Sequence, residues 1–170
     1  LNLKTIMFSS GAPINEAMAA GEWDVAVTGG AFIFAMAQLN GKLIGHQIDG
    51  TYGQAVFVRK DSPILSVKGF NPKLPDVYGD PKTVSEKMLL QTTGTTSQYV
   101  ASSWLEAIGL KEDQVELPGH RGRATAGRGA VAEGDITSLC SPFVVKAYQT
   151  TDWAEVANLK KLDKKLYESI

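Results

Sequence analysis

Four short turns rich in serine, threonine and glycine carry the clearest chemical signal in this sequence. They span residues 9–11, 28–30, 92–96 and 138–142, and each falls where a strand-like apolar run gives way to a helix-like run. Such a turn offers backbone N–H groups, hydroxyl donors and the positive end of a helix dipole, which together suit a small anion. One such turn is ordinary helix capping, whereas four of them predict a shared site for a small ligand.

A second chemical signal is the segment 119–129, which is rich in glycine and arginine. Its glycines are spaced as in a phosphate-binding loop, but Arg128 and Gly129 stand where that motif needs Lys and Ser or Thr, so the motif is rejected. An arginine here can form a two-pronged hydrogen bond to a carboxylate, sulfonate or phosphate, or it can lie in a solvated basic loop. Arg121 is open between these interpretations and is kept as a candidate ligand contact.

The residue types that catalysis usually needs do not form a recognisable set. Ser141 is not in a nucleophile-elbow pattern, and nothing in the sequence links His46 or His120 to a serine or to Cys140. The cysteine ends an apolar run, where a buried structural thiol is the simpler interpretation. We therefore expect no catalytic residue, no metal and no cofactor. Tyr52, in a polar turn, is a candidate aromatic contact for a ligand.

Composition excludes several classes of protein. The chain has 170 residues with 17 Lys and Arg against 18 Asp and Glu, and a net charge of -1 argues against a general nucleic-acid binder. One cysteine and two histidines exclude a disulfide framework and a metal site built from cysteine or histidine clusters. No apolar run reaches about 18 residues, so no transmembrane helix is expected. The chain opens at Leu1 without a signal-peptide pattern, which indicates a processed or excised piece.

Strand and helix signals alternate along most of the chain, which predicts an α/β fold with a parallel sheet. The predicted strands are 3–8, 24–28, 42–48, 54–59, 87–91, 114–117, 136–140 and 156–159. The predicted helices are 13–20, 31–39, 97–108, 125–133 and 143–148, with a helical turn at 81–86. Segment 61–80 is rich in proline and glycine, so we expect it to connect two structural lobes.

Ordered stretches within residues 3–160 form a set that is specific as a whole, although no single stretch is. They are residues 8–13 and 15–29, the strand and Lys-Asp-Ser-Pro-Ile run of 56–64, the turn 93–96 with the helix end 105–110, the Asp-Gln-Val of 113–115, and 130–136 with 141–143. In this order they resemble the solute-binding proteins of ABC transporters of the nitrate, sulfonate and taurine type, a group that also includes thiamine-precursor binders.

The resemblance implies a type II periplasmic-binding fold, in which two α/β lobes hold a ligand in the cleft between them and close around it. Residues 1–66 would form the first lobe, to which 156–170 could return, and residues 67–155 would form the second. The family's first strand and opening helix have no counterpart before Leu1, and the segment that completes the first lobe has none after Leu159. We therefore expect a fold truncated at both ends, and a homodimer is one way to complete the first lobe.

Carried over residue by residue, the resemblance assigns ligand contacts to the same turns that the chemistry picks out. The wall of the first lobe would be lined by Ser9, Ser10, Gly11, Gly29 and Gly30. The second lobe would offer hydroxyl and amide donors from Thr93, Gly94, Thr95 and Thr96, and Ser141 would close the far side.

The function implied is that of the extracytoplasmic solute-binding component of an ABC importer, periplasmic or anchored outside the membrane, with a membrane permease as partner. Its ligand would be a small, anionic solute such as a sulfonate, a carboxylate, nitrate or a thiamine precursor. Two alternatives share the fold. An enzyme of pyrimidine or menaquinone precursor synthesis would need His46 or His120 in the cleft, and the effector domain of a transcription regulator would need a DNA-binding helix-turn-helix upstream.

Overall fold

The computed structural model of the protein describes residues 2–30, 32–45, 53–117 and 134–162. These residues divide into two compact units. The first unit holds the described residues up to 45 together with Gly94–Thr96. The second unit holds residues 53–93 and the described residues from 97 onwards.

The second unit is built on a mixed four-stranded sheet. Its strands are β1 (Gln54–Arg59), β2 (Leu89–Leu90), β3 (Ile136–Cys140) and β4 (Trp153–Asn158), in the spatial order β2-β3-β1-β4. β2 runs parallel to β3, whereas β1 runs antiparallel to both β3 and β4. The expectation of a purely parallel sheet is therefore wrong, because strand direction depends on long-range pairing that the alternation of elements does not encode.

Helices cover the two faces of this sheet. They are α3 (Pro81–Val84), α4 (Thr96–Ala107), α5 (Phe143–Gln149) and α6 (Leu159–Leu162), with 3-10 turns at Pro63–Ser66 and Glu112–Gln114. Side chains alternate along each strand, so one face carries the larger core, in which Val56 and Val58 pack with Trp104 of α4. The other face carries a smaller core, in which Phe57 packs with Val144 of α5.

The segment 61–80 lies inside the second unit, and we call it the strap. Its Ile64 and Val77 are buried in the larger core. The indole N–H of Trp104 donates to the carbonyl of Tyr78 at 2.9 Å, and the amide of Asn71 donates to the Ala107 carbonyl at 3.1 Å. The second unit thus includes β1 and the strap, whereas the predicted boundary between the lobes lies after residue 66. The lobe boundaries of the binding fold stay a prediction.

The first unit holds two packed helices, α1 (Gly11–Ala19) and α2 (Phe32–Leu39), close to their predicted positions. Ala17 of α1 and Ala35 of α2 are buried, and the indole N–H of Trp23 donates to the Ile14 carbonyl at 2.9 Å. Small side chains at the helix contact allow this close packing, which places the turns before both helices in one unit.

Three of the predicted strands are absent from the described part of the first unit. The backbone at 2–8, 25–28 and 41–45 forms no strand ladder, and its apolar side chains are exposed, at 81% for Leu3 and 72% for Val27. Apolar runs become strands only where partner strands pair with them. The predicted strand 114–117 in the second unit is also wrong, since only Glu116 forms a bridge, to Met88. The predicted helix 125–133 lies outside the described residues.

Candidate functional site

Within the first unit, the turn before α2 meets the residue that begins α4. The backbone N–H of Gly30 donates to the hydroxyl oxygen of Thr96 at 3.2 Å. A threonine hydroxyl can accept one hydrogen bond and donate another, so this contact leaves the Thr96 O–H proton to donate elsewhere. Two turns that lie 66 residues apart in the chain thus form one cluster, and both were selected from the sequence as candidate ligand contacts.

Glycines allow the turn before α2 and the turn before α4 to lie this close to their neighbours. A Cβ at Gly30 would lie 3.2 Å from the Thr96 hydroxyl oxygen, and one at Gly29 would lie 3.3 Å from it, both tighter than ordinary packing. Gly94 has a φ of +71°, which favours glycine, and its Cβ position faces the Ala12 side chain of α1 at 3.4 Å. The start of α1 therefore lies beside the turn that leads into α4.

In the first unit, three helices have their first residue at or just after a predicted turn: α1 at Gly11, α2 at Phe32 and α4 at Thr96. The first N–H groups of a helix have no partner within the helix and carry its positive dipole end, so they attract anions. Ser10 occupies the N-cap position of α1, but its side chain makes no capping hydrogen bond. Ser9, which precedes it, is exposed. The first unit thus offers neutral hydrogen-bond donors, which suits a small anion.

The second unit positions Thr93 and Ser141 at one end of its sheet, beyond β2 and β3 respectively, and both are exposed. The Ser141 backbone N–H donates to the Gly53 carbonyl at 2.7 Å, and its hydroxyl donates to the same oxygen at 3.4 Å. A Cβ at Gly53 would overlap the Ser141 hydroxyl oxygen, so a larger residue here would make the Ser141 side chain shift. Ser141 thereby ties the end of β3 to the start of β1.

Buried serines fix the polar groups behind this end of the sheet. The Ser138 hydroxyl donates to the Ser97 carbonyl at 2.7 Å, and the Thr92 N–H donates to the Ser97 hydroxyl at 3.2 Å. Ser97 and Ser138 are 2% and 1% exposed, so they hold α4 against β3 rather than facing a ligand. Ser138 belongs to the candidate turn 138–142, and Ser97 directly follows the candidate turn 92–96, so the sequence did not distinguish this structural role from a binding role.

Two glutamines at this end of the sheet were not selected from the sequence. Gln54 begins β1 and Gln91 follows β2, and the side-chain carbonyl oxygen of each is shielded from solvent without a hydrogen-bond partner in the described chain. A single glutamine at a strand end belongs to no motif. Only the three-dimensional pairing of the strands brings the two to the same edge, so the sequence held no signal for them.

Several predicted residues lie outside the described part of the chain, namely Tyr52, Arg121, His46 and His120. Cys140 is described and half-buried, and burial raises the pKa of its thiol, which lowers its reactivity as a nucleophile. Within the described ranges, no three His, Cys, Asp or Glu side chains gather as a metal site would need. None of the described helices is long and apolar enough to span a membrane.

An open depression of about 450 Å³ lies at the opposite end of the second unit's sheet. Its lining includes Arg59, Lys87, Glu116 and Asp135 and none of the predicted ligand contacts. Lys87 and Asp135 are 4.0 Å apart, and the same carboxylate accepts a hydrogen bond from the Met88 N–H at 3.0 Å. Lys87 and Asp135 thus pair with each other within the protein.

Comparison with known proteins gives one relative by sequence and several by structure. No family model matches the chain. A protein of Brachyspira hyodysenteriae, assigned as an ABC transporter periplasmic binding protein, is 36% identical over 115 residues, which are 68% of this chain and 33% of that protein. Over these residues the chain is similar to a periplasmic binding protein of an ABC transporter.

Solved structures agree on the fold. The periplasmic aliphatic sulphonate binding protein SsuA from Escherichia coli matches with a TM-score of 0.62 at 18% identity, over 94% of this chain and 46% of that one. The alkanesulfonate-binding protein SsuA from Xanthomonas axonopodis pv. citri, bound to MOPS, matches with a TM-score of 0.60 at 15% identity, over 90% of this chain and 49% of that one. The type II periplasmic-binding fold implied by the sequence is thus confirmed. The chain spans about a third of its curated relative and about half of these structures.

Proposed function

We propose that this chain acts as the extracytoplasmic solute-binding component of an ABC importer. The observation that carries the proposal is the cluster of Gly29, Gly30 and Thr96, which leaves the Thr96 O–H as a neutral donor in a chain similar to a periplasmic binding protein. Small anions bind well to such donors because N–H and O–H groups stabilise negative charge without an opposing ion.

The ligand class is a small anionic solute: a sulfonate, a carboxylate, nitrate or a thiamine precursor. The names of the structural neighbours include aliphatic sulphonate and alkanesulfonate binding, which supports the sulfonates as first candidates. The described ligand candidates are all uncharged Ser, Gly and Thr. Binding would therefore depend on hydrogen-bond geometry more than on an ion pair, with Arg121 and Tyr52 as further candidates.

The partners and location follow from the same relationship. The proposal gives the chain a membrane permease as partner, a periplasmic or externally anchored location and no enzymatic activity. Support comes from the relative, which is assigned to a transporter. His46 and His120, which the enzyme alternative would need, lie outside the described residues.

Calorimetric titration with ethanesulfonate, propanoate and nitrate tests the site. We expect saturable binding of at least one anion, weakened about tenfold or more when Thr95 and Thr96 are both replaced by Ala, because hydrogen bonds to a charged ligand contribute about 1.5–3 kcal/mol each. Thr151→Ala serves as the control, since it removes an exposed hydroxyl between α5 and β4 and should leave affinity unchanged. Equal affinity in the double variant and the control would rule out this site.

A second copy of the chain is the further partner we propose. The extended segments 2–8 and 25–28 of the first unit expose apolar side chains, including Met7 at 87% and Val25 at 68%, and form no ladder in the described chain. Unpaired extended segments with apolar side chains favour pairing with another chain. Light scattering should show a dimer that weakens in a Val25→Thr, Val27→Thr variant. A monomer at every concentration would contradict this part of the proposal.

A further inference from the structure

We infer that Asn40, directly after α2, is a modification site at which the side-chain amide is lost spontaneously and the residue becomes aspartate or isoaspartate. Asn40 is the only asparagine of the sequence that a glycine follows. Glycine has no side chain to hinder its backbone nitrogen, so an asparagine side chain is attacked most readily by a glycine that follows it. The inference concerns the first unit alone and goes beyond the proposed solute-binding function.

The end of α2 favours this pair of residues. Asn40 has a φ of +54°, in the left-handed region that glycine and asparagine adopt most readily at helix ends. A Cβ at Gly41 would lie 3.1 Å from the Ala35 carbonyl oxygen and 3.1 Å from the Met18 methyl carbon, both tighter than ordinary packing. The turn that ends α2 therefore selects the asparagine pair that reacts most readily.

The reaction uses these two residues and water. The backbone nitrogen of Gly41 attacks Cγ of Asn40, a C–N bond forms, and the side-chain nitrogen leaves as ammonia with the proton that the Gly41 nitrogen gives up. Water then opens the imide ring at one of its two carbonyl carbons. Opening at the side-chain carbonyl gives aspartate, and opening at the main-chain carbonyl gives isoaspartate.

A backbone hydrogen bond holds the attacking nitrogen in place. The Gly41 N–H donates to the Ala35 carbonyl at 2.9 Å, as in the Schellman ending of a helix. Ring closure turns this peptide unit toward the Asn40 side chain, so the hydrogen bond to Ala35 has to break first. Asn40 itself is exposed, so water reaches it. The rate of the reaction should therefore be controlled by opening of the last turn of α2.

Both products change the end of α2. Aspartate places a negative charge at the negative end of the helix dipole, which disfavours the helix. Isoaspartate adds a methylene group to the main chain, which moves the Gly41 N–H away from the Ala35 carbonyl. Because Gly41 also lies beside the Met18 side chain of α1, isoaspartate should loosen the packing of the two helices.

Peptide mapping by mass spectrometry, after incubation at mildly alkaline pH, tests the site. We expect the mass gain of deamidation at Asn40, with isoaspartate detected by enzymatic methylation, and no gain over the same period at Asn158 in the second unit. The folded chain should react about tenfold or more slowly than the chain unfolded in urea, since opening precedes attack. Asn40→Gly, which keeps the left-handed turn, should show no mass gain in this peptide.

A matched pair of glycine substitutions tests the route. Ala37→Gly, at an exposed position inside α2, should raise the rate at Asn40 about fivefold, because glycine weakens a helix interior. Glu106→Gly, at an exposed position inside α4, should leave the rate unchanged. Equal acceleration by both variants, or equal rates in the folded and unfolded chains, would overturn control by α2. Deamidation at Asn158 as fast as at Asn40 would overturn the site itself, and neither result bears on the proposed solute-binding function.

Discussion

Similar apolar stretches of sequence are buried in the second unit of this protein and exposed in the first. In the second unit, Val56 and Val58 of β1 are fully buried between β3, β4 and the helices. In the first unit, Val25 and Val27 occur in an equally strand-like run, yet they are 68% and 72% exposed. The difference lies in pairing, since β1 has a partner on each side and the described residues 25–28 have no ladder partner.

This contrast shows that an apolar, β-branched run favours burial, but that the run is buried only where neighbouring elements cover it. Burial of a Val side chain stabilises a fold by about 1.5–3 kcal/mol, and that gain requires neighbouring elements to cover it. We therefore expect the free energy of unfolding to be concentrated in the second unit. The first unit should depend more on a few contacts between its helices and turns.

The two hydrogen-bonded tryptophans provide the largest test of this difference. Trp104 is fully buried and donates to Tyr78, whereas Trp23 is half-buried and donates to Ile14. Trp104→Ala should lower the free energy of unfolding by about 3–5 kcal/mol, because it opens a cavity in the larger core. Trp23→Ala should cost about 1 kcal/mol. Urea denaturation followed by circular dichroism measures both values.

If Trp104→Ala does not fold, Trp104→Phe gives the same comparison against Trp23→Phe with a smaller cavity. Equal losses of unfolding free energy at the two positions would contradict the concentration of stability in the second unit. A larger loss at Trp23 would show that stability is concentrated in the first unit instead.

Helix capping provides a smaller test. Asp80 caps α3 by accepting hydrogen bonds from the Thr83 hydroxyl at 2.7 Å and the Thr83 N–H at 2.9 Å, whereas the Ser10 side chain makes no capping bond to α1. At neutral pH, Asp80→Ala should lower the free energy of unfolding by about 1 kcal/mol, and Ser10→Ala should lower it by only a few tenths of a kcal/mol. Urea midpoints of the two variants measure the difference, and equal losses would show that capping does not distinguish the units.

The stabilising effect of the Asp80 cap should depend on pH and should weaken as the pH falls. The hydrogen bonds from Thr83 hold the pKa of Asp80 below its ordinary value, because they favour the carboxylate. The charged cap therefore stabilises the fold above the unfolded pKa of about 3.9, and this contribution is lost as the pH falls through the lower folded value. The gap between wild type and Asp80→Ala should narrow between pH 7 and pH 3. Asp80→Asn, which caps without titrating, should show no such change.

The sequence predicted those elements whose signals are local. The helix predicted at 97–108 is α4, and the strands predicted at 54–59 and 136–140 are β1 and β3 with unchanged bounds. The helical turn predicted at 81–86 contains α3, which ends at Val84. Sheet direction and the exposed segments of the first unit were not predictable, because both depend on which distant segments pair.

The candidate site was predictable only in part for the same reason. Turns with hydroxyls and glycines were visible as local patterns, and the structure joins two of them through Gly30 and Thr96. Whether the predicted residues bind a ligand stays a prediction for the titrations. Gln54 and Gln91 could not be found from the sequence, since their common feature is an unused acceptor on one face of the sheet.

The strap has a consequence for how the protein withstands proteases. Three prolines and several polar residues make 61–80 look like an accessible cleavage site. Yet the Gly69 N–H donates to Val77, the Tyr78 N–H to Val156 and the Gly79 N–H to Val67, at 2.8, 3.0 and 2.8 Å. A protease needs an extended, unbonded stretch of backbone, so this segment should be cut only when the second unit itself opens. The amide protons of Gly69, Tyr78 and Gly79 would then exchange with solvent as slowly as those of the central strands.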